Sequence, residues 1–312
     1  MTRKKVVGLS LVAVVVLTAL LVGVAEPQTS RPRVFIRSNG NVDPSSAPIQ
    51  RDGDTYTFTG DIYGEFVVQK AGVVIDGAGY TLNGPYNGTH ENQWVIGGGP
   101  NQVSPGTQMQ YSVGVDFSGD ASGLTVRNLN IRNFSIGTYL WTANNTFTGN
   151  SVSECNVGIL LSGSENRVVG NYLAKNEFGL FFGTNEPSLA SLNLTLSHNS
   201  FQDNLNQMSG CFCPSPNVTE PVHMWDDGKE GNYWSDYNGT DANGDGIGDS
   251  PYVFDAQNVD RFPLMESPVS PPVVAWTPFN VEVLIPVAVG IAFAVSLLVW
   301  GVRRRRRSRT PS

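Results

Sequence analysis

The chain has 312 residues, with 20 Lys and Arg, 27 Asp and Glu, and a formal net charge of −7. Nine of the basic residues lie near the two ends, in residues 3–5 and 303–309. The remaining 11 stand against all 27 acidic residues, so residues 26–282 carry a net charge of about −16. A field of this sign disfavours nucleic acid and anionic polysaccharide as ligands and attracts cations. Three cysteines cannot all pair within one chain, so a disulfide framework is excluded.

Residues 1–25 have the features of an export signal. Basic residues at positions 3–5 precede an uncharged apolar stretch, and the small residues Gly23 and Ala25 suit a signal peptidase. The stretch is also long enough to span a bilayer, so it is either a cleaved signal peptide or a signal anchor. Both alternatives export the chain that follows. We expect an N-terminal linker over residues 26–53.

The other end of the chain is typical of a membrane anchor. Residues 283–302 form an apolar stretch of spanning length, and the basic tail 303–312 follows at once. The positive-inside rule puts this tail in the cytoplasm and the preceding chain outside a cell membrane. A Pro-rich stalk over 268–282 joins the two parts. Six N-x-[ST] acceptors make the exterior part a candidate glycoprotein: Asn87, Asn133, Asn144, Asn193, Asn217 and Asn238.

Between these ends the sequence repeats every 21 residues. The repeating columns are Gly137, Gly158 and Gly179; Val126, Phe147 and Val168; and Ile131, Val152 and Leu173. After an insertion within 183–193 the pattern resumes, so the insertion is expected to be a loop between rungs. The apolar runs are short and alternating, which indicates strands. Such units bury their apolar faces by stacking, so we predict a right-handed parallel β-helix.

Asparagines occupy the turns of this repeat. Asn150, Asn171 and Asn199 share one column, and Asn176 and Asn204 share another. A column of Asn suits stacked turns, because its amide can bond to its copy in the next rung. A leucine-rich solenoid is disfavoured, since no L-x-x-L-x-L pattern recurs. We expect rungs over 54–210, with weaker ones at Tyr56–Thr59, Glu65–Val68, Val73–Asp76 and Val113–Phe117, a lateral loop at 84–110, and a capping segment at 211–267.

The repeat and its closing segment resemble the NosD-type family of periplasmic, copper-associated β-helix proteins. The resemblance rests on Gly60-Asp61-Ile62-Tyr63-Gly64, Val74-Ile75-Asp76-Gly77-Ala78-Gly79-Tyr80-Thr81-Leu82, Gly231-Asn232-Tyr233-Trp234-Ser235-Asp236-Tyr237, Asp245-Gly246-Ile247-Gly248-Asp249-Ser250-Pro251-Tyr252 and Asp260-Arg261-Phe262-Pro263-Leu264. It covers about residues 54–265. It implies a β-helix with a C-terminal cap, and it brings copper-site maturation as a possible role. Fold analogy alone does not transfer that role.

The sharpest local motif is an Asp-rich loop over residues 241–249. Oxygen ligands at alternate positions, a Gly at position six and a backbone carbonyl at position seven are typical of a calcium loop. The candidate calcium ligands are Asp241, Asn243, Asp245, Ile247 and Asp249. Tyr252 stands where the usual bidentate Glu would be, so Asp255 or Asp236 would have to complete the ligand set. The alternative is a turn that ends the domain.

Copper ligands are the other metal hypothesis. Soft sulfur and imidazole suit copper, and several such groups follow the last rung: Met208, Cys211, Cys213, His223 and Met224. The spacing of the two cysteines is not specific, and Met and His near a cap are commonly packing residues. Cys155 falls in the column of Asn176, where we expect it to be a small apolar filler.

The sequence favours a surface scaffold or binding module over an enzyme. The aromatic residues Trp225, Tyr233, Trp234 and Tyr237 could stack on sugar rings, but a plug for the open end of the coil explains them better. A polysaccharide lyase or glycoside hydrolase on the same fold is the alternative, and it needs paired acids in a groove. The rung carboxylates are Asp116, Asp120, Asp203, Glu154, Glu165 and Glu177, and the basic residues are Arg127, Arg132, Arg167 and Lys175. No pair stands out, so the ligand stays open between a metal, a carbohydrate and a cell-surface partner.

Overall fold

The computed structural model describes residues 32–86, 111–117, 121–183, 193–210, 223–256 and 258–271. These residues belong to one compact unit that ends at Pro271. Within the described ranges there is no helix with the length and apolar character needed to cross a membrane. The expected export segment 1–25, membrane helix 283–302 and basic tail 303–312 lie outside the described residues, as does most of the lateral loop.

Three long sheets, built almost entirely of parallel pairs, run side by side along the chain. With strands numbered along the sequence, sheet 1 contains β2 (Val42–Asp43), β1 (Arg33–Ile36), β6 (Glu65–Val68), β9 (Val113–Phe117), β12 (Ile136–Leu140), β15 (Val157–Leu161), β18 (Phe178–Phe182) and β21 (Asn206–Gly210), in spatial order. Sheet 2 contains β19 (Thr195–Ser197), β16 (Arg167–Val169), β13 (Thr146–Thr148), β10 (Thr125–Arg127), β7 (Val74–Asp76), β4 (Thr55–Phe58) and β3 (Ile49–Asp52). Sheet 3 contains β22 (Tyr233–Trp234), β20 (Ser200–Gln202), β17 (Tyr172–Ala174), β14 (Ser151–Ser153), β11 (Asn130–Arg132), β8 (Thr81–Asn83) and β5 (Ile62–Tyr63). A separate antiparallel pair, β23 (Tyr252–Val253) and β24 (Val259–Asp260), follows them.

The strand register confirms the 21-residue period. In sheet 2, Val126 pairs with Phe147 and Phe147 pairs with Val168. Val168 then pairs with Leu196, so the insertion before β19 leaves the register intact. One rung therefore contributes one strand to each sheet, and successive rungs stack at about 4.8 Å. The described chain forms a parallel β-helix.

Each clear rung turns at three corners, and each corner holds one residue with positive φ. This backbone region is open to Gly and tolerated by Asn and Asp. The corner residues from sheet 1 to sheet 2 are Gly123, Asn144, Glu165 and Asn193, those from sheet 2 to sheet 3 are Asn128, Gly149, Gly170 and His198, and those from sheet 3 to sheet 1 are Asn133, Glu154, Lys175 and Asp203. The glutamates, lysine and aspartate of these columns are thus turn residues.

The glycine column exists because two rungs approach closely there. A Cβ at Gly137 would lie 2.5 Å from the carbonyl oxygen of Gly158 and 2.4 Å from Cγ1 of Val152. Gly158 and Gly179 show the same contact with the next rung, at 2.5 and 2.7 Å. Any side chain at these positions would push the rungs apart.

The asparagine columns are buried ladders. The backbone N–H and the side-chain amide of Asn150 both donate to Oδ1 of Asn171, and Asn171 repeats both contacts with Asn199. Asn176 does the same with Asn204. Cys155 replaces Asn in this second column, where its backbone N–H donates to Asn176 Oδ1 at 3.0 Å. Burial raises the pKa of the Cys155 thiol to about 12, which fits an inert filler.

The structure differs from the expected linker over 26–53. Residues Arg33–Ile36 form β1 and pair in parallel with β6, while Ile49–Asp52 form β3 and pair antiparallel with β4. Val34 and Ile36 are buried in the main core. The antiparallel hairpin covers the first rung, so the β-helix begins about twenty residues earlier than expected.

Candidate functional site

The outward face of sheet 1 is unusually apolar. In its five-residue strands the third and fifth side chains point into the main core, whereas the first and fourth point out of the coil. The outward side chains form a second cluster of buried residues, with two more partly buried: Val113, Ile136, Val157, Leu160, Phe181, Tyr139 and Phe178. Outward side chains on a solvated sheet face are ordinarily polar, whereas those of sheet 1 are mostly apolar and buried.

The outward side chains at the fourth position of each strand form a single column along the face. Val67 pairs with Asp116, Asp116 with Tyr139, and Tyr139 with Leu160. Phe181 continues the column on the next rung. From Val67 to Phe181 the column therefore holds one acidic residue, Asp116, next to Tyr139, and its other members are apolar.

Asp116 has a second carboxyl group as its neighbour. Glu65 lies two residues before Val67 on the adjacent strand, on the same outward face. Burial raises the pKa of Asp116, the charge of Glu65 raises it further, and Arg33 opposes both. Glu65 is 4% exposed, and its Oε2 accepts from Arg33 Nε at 2.6 Å. The pair thus consists of one buried, ion-paired carboxylate and one more accessible carboxyl group.

Aromatic rings flank this carboxyl group. Tyr139 and Trp141 lie near-parallel, with ring centroids 6.1 Å apart and planes 29° apart. The indole N–H of Trp141 donates to the carbonyl oxygen of Phe117, which fixes the ring. Tyr111 adjoins both Asp116 and Tyr139. The pKa of its phenol is raised, mainly by burial and to a smaller extent by the charges of these two neighbours. We call Tyr111, Asp116, Tyr139 and Trp141 the aromatic patch; its Trp is 47% exposed and its first Tyr 43%.

The basic residues considered for an enzyme lie on other faces. Arg127 is on sheet 2 and its Nε bonds to Asp76 at 2.9 Å. Arg132 is on sheet 3, where its Nε bonds to Asn83 at 3.2 Å. Arg167 is also on sheet 2, and Lys175 is an exposed corner residue. These four residues therefore share no face with Asp116, and Asp120 lies outside the described residues.

The Asp-rich loop is tied together by its own hydrogen bonds. Asp241 Oδ1 accepts from the backbone N–H of Gly244 at 2.7 Å, and its Oδ2 accepts from Gly246 at 2.8 Å. Asp245 Oδ1 accepts from Ile247 at 2.9 Å. Asn243 donates to Asp245, and Asp249 accepts from Ala242. These contacts account for the turn by themselves, and the calcium hypothesis stays a prediction.

The residues considered for copper do not converge where they are described. His223 is buried and packs face to face on Phe182, with ring centroids 5.3 Å apart. The next residue, Met224, is 55% exposed, so the two side chains point to opposite faces. Met208 packs against the main core. Burial lowers the pKa of His223 to about 4, so its imidazole is neutral at pH 7.

The copper hypothesis therefore finds no support in these contacts. Among the described residues, no three His, Cys, Asp or Glu side chains are arranged to hold a metal ion. Cys211 and Cys213 lie outside them. Where the structure describes them, Met208, His223 and Met224 thus do not form a copper centre.

The aromatic residues of the cap form a plug. Trp225 and Trp234 are each 1% exposed. Trp234 stacks on Phe201 of the last complete rung at 4.2 Å and on Tyr252 at 4.6 Å. The interpretation of these rings as a plug is therefore correct for the two tryptophans, which cannot meet an external sugar.

Four of the six N-x-[ST] acceptors are described. Asn144, Asn193 and Asn238 are exposed. Asn133 is half-buried, and its amide donates to Asn83 Oδ1 at 2.8 Å. Asn87 and Asn217 lie outside the described residues. Exposure makes the first three the sterically open acceptors.

Comparison with known proteins places the chain in a family. A family model described as periplasmic copper-binding protein (NosD) matches residues 67–239, which is more than half of the chain. A protein of Stutzerimonas stutzeri named "Probable ABC transporter binding protein NosD" is 31% identical over 132 residues. The match covers 37% of this chain and 27% of that protein, so the chain spans about a quarter of its relative's length. On the strength of the family match and the stacked parallel rungs, the chain belongs to the NosD family.

Proposed function

We propose that this chain is an exported binding protein, anchored at the exterior of a membrane, that holds its ligand on the outward face of sheet 1 without cleaving it. One observation carries the proposal. Tyr139 and Trp141 present a fixed pair of rings beside Asp116, on a face whose other outward side chains are largely buried. Exposed aromatic groups next to a carboxyl group form a recognition surface.

Export and anchoring rest on the two ends of the sequence. Residues 1–25 resemble a signal peptide or anchor, and 283–302 with the basic tail resemble a stop-transfer segment. The family description as periplasmic agrees with an exterior location. The Pro-rich stalk over 268–282 joins the β-helix to the apolar stretch 283–302 in the sequence.

Binding is favoured over catalysis by the state of the carboxyl pair. A glycoside hydrolase needs two carboxyl groups that both reach the substrate. Glu65 is buried and its charge is neutralised by Arg33 at 2.6 Å. Asp116 is then the single carboxyl group of the patch that faces the exterior, which suits a hydrogen-bond acceptor for a ligand.

Copper handling is a second candidate function, favoured by the family description. In this role copper would be a cargo, and the relative's name adds a transporter as a class of partner. The test is a titration of the full-length protein with Cu(I) against a chromophoric chelator. Loss of tight binding in Cys211→Ser/Cys213→Ser, with His223→Ala unchanged, would place the cargo at the thiols. Equal affinity in all three proteins would dismiss this candidate.

The proposed binding face is tested by oxidative footprinting on intact cells. Hydroxyl radicals oxidise exposed Trp and Tyr, and mass spectrometry gives the rate at each residue. We expect oxidation of Trp141 and Tyr139 to be slowed severalfold on cells relative to the purified full-length protein. Tyr63 is the control, because it is 69% exposed and lies on β5, an edge strand of sheet 3. It should react equally on cells and in the purified protein. Equal rates at Trp141 would contradict the proposal.

A further inference from the structure

We propose that the aromatic patch binds a neutral oligosaccharide, with one sugar ring stacked on Trp141 and a sugar hydroxyl donating to Asp116. This inference rests on the proposed function and names the class of its ligand. The proposed sugar site lies on the exterior of sheet 1 and not at the cap, because the cap tryptophans are buried.

The two rings form a platform. Tyr139 and Trp141 are two residues apart, so both project from the same side of the chain. Their planes differ by 29° and their centroids are 6.1 Å apart, so Tyr139 stacks on Trp141 and supports it from behind. Pyranose rings have an apolar face of C–H groups that packs on aromatic rings. Trp141, which is 47% exposed, therefore suits one sugar ring of the chain.

The platform is also rigid before binding. The bond from Trp141 Nε1 to the Phe117 carbonyl oxygen holds the indole against the rung below. Tyr139 is hydrogen-bonded through its backbone in the middle of β12, between β9 and β15. Preorganised side chains lose little conformational entropy on binding, which favours affinity.

Charge selects the kind of sugar. Asp116 lies directly one rung before Tyr139, and its carboxyl oxygens can accept hydrogen bonds from hydroxyl groups. The exterior part carries a net charge of about −16, which repels uronic acids and sulfated sugars. Tyr111 lies beside Asp116 and Tyr139, and its phenol is protonated. A neutral glycan satisfies these groups without a charge penalty.

The experiment uses the full-length protein in nanodiscs, because the head-groups of maltoside detergents are themselves sugars. Calorimetry measures binding of cellohexaose, maltohexaose, mannohexaose and chitohexaose. We expect at least one hexasaccharide to bind, and its monosaccharide to bind at least tenfold more weakly. Trp141→Ala and Asp116→Asn should each weaken binding at least tenfold, whereas Trp141→Phe should keep part of it. Tyr63→Ala is the matched control, and melting temperatures verify that each variant is folded.

Three results would overturn the inference. Binding of no hexasaccharide, with Trp141 still protected on cells, would remove the sugar and leave the proposed binding face in place. Saturable binding of tetramethylammonium in place of any sugar would assign the patch to cations through its aromatic rings. Hexasaccharide binding that survives Trp141→Ala in a folded protein would place the sugar site elsewhere.

Discussion

The backbone N–H and the side-chain amide of Asn232 both donate to Oδ2 of Asp260, at 2.8 and 3.3 Å. The same oxygen accepts the indole N–H of Trp234 at 2.9 Å. Burial raises the pKa of Asp260, while these hydrogen bonds act against that rise. Asn232 is the continuation of the Asn150 ladder, since Asn199 donates to it. A carboxylate accepts hydrogen bonds without offering a donor, so Asp260 ends the ladder.

This role predicts how substitutions at Asp260 behave. Asp260→Leu leaves the buried N–H groups of Asn232 and Trp234 without an acceptor, and each such loss costs about 1–3 kcal/mol. In the wild type the backbone N–H of Phe262 donates to Oδ1 of Asp260. Asp260→Asn keeps one acceptor oxygen but places an NH₂ donor opposite this N–H. Urea denaturation should therefore rank stability as wild type, then Asp260→Asn, then Asp260→Leu. A leucine variant as stable as the wild type would show that the ladder needs no terminator.

Asn171 tests the interior of the same ladder. Its amide donates to Phe147 O and Asn199 Oδ1, at 2.8 and 3.0 Å, and a carboxylate has no donor for either. Asn171→Asp should lower the free energy of unfolding by about 3 kcal/mol or more. Asn144→Asp is the control, because that corner residue is exposed and Asp tolerates its positive φ. Equal losses in the two variants would contradict a buried ladder.

The inward column of sheet 3 tests the register. Ile131, Val152 and Leu173 are paired in succession and are at most 1% exposed. Replacing any one by Asp buries an unpaired carboxylate, which costs several kcal/mol and should prevent folding. Ser153→Asp is the matched control on the same strand, because its side chain points outward and is partly exposed. Circular dichroism should show a folded control beside three unfolded variants; three folded ones would refute the register.

The ion pair of the cap predicts a pH dependence. Burial alone would raise the pKa of Asp226, but hydrogen bonds from Arg261 and Gly228 lower it below its usual value of 3.8. A lowered pKa in the folded state contributes stability above 3.8 that is lost as the pH falls through the lowered value. Arg261→Gln should therefore be less stable than wild type at pH 7, with the difference shrinking in acid. Lys175→Gln, at an exposed corner, should show no such trend, and a constant difference for Arg261→Gln would contradict the linkage.

A substitution in the Asp-rich loop distinguishes a structural turn from a calcium site. Asp241 accepts from three backbone N–H groups, of Gly244, Asp245 and Gly246, so Asp241→Ala should lower the melting temperature even in chelator. Asp52→Ala, at an exposed position, should not. If the loop also binds calcium, added calcium raises the melting temperature of the wild type and not that of Asp241→Ala. An Asp241→Ala protein that melts like the wild type in chelator would show that the turn contacts do not stabilise the cap.

The repeating part of the fold can be predicted from the sequence, whereas the non-repeating start of the coil cannot. The columns of Val126, Ile131 and Gly137 recur at a fixed period, so stacking and register follow from spacing alone. The asparagines are predictable as turn residues, and the structure shows that they are also buried acceptors. The start of the coil is missed because β1 is a single alternating run. Strands β2 and β3, which pair antiparallel with β1 and β4, carry polar residues and follow no repeat.

The candidate site is not predictable from spacing. Glu65 and Asp116 are 51 positions apart, and the long segment between β8 and β9 hides the fact that β6 and β9 are neighbours. One signal is nevertheless present in the sequence. Outward positions of sheet 1 hold apolar residues in place of polar ones, as Ile136, Val157 and Leu160 show, and a strand with two apolar faces indicates a covered or binding surface.

The most direct test of sugar binding at the aromatic patch follows the tryptophans by ¹⁹F NMR. The full-length protein, labelled with 5-fluorotryptophan in nanodiscs, should give signals that are assigned by single Trp→Phe substitutions. On addition of the hexasaccharide that calorimetry selects, we expect the Trp141 signal to shift while those of the buried Trp225 and Trp234 stay in place. A shift of Trp225 or Trp234 with Trp141 unchanged would place the binding site at the cap and contradict binding on sheet 1.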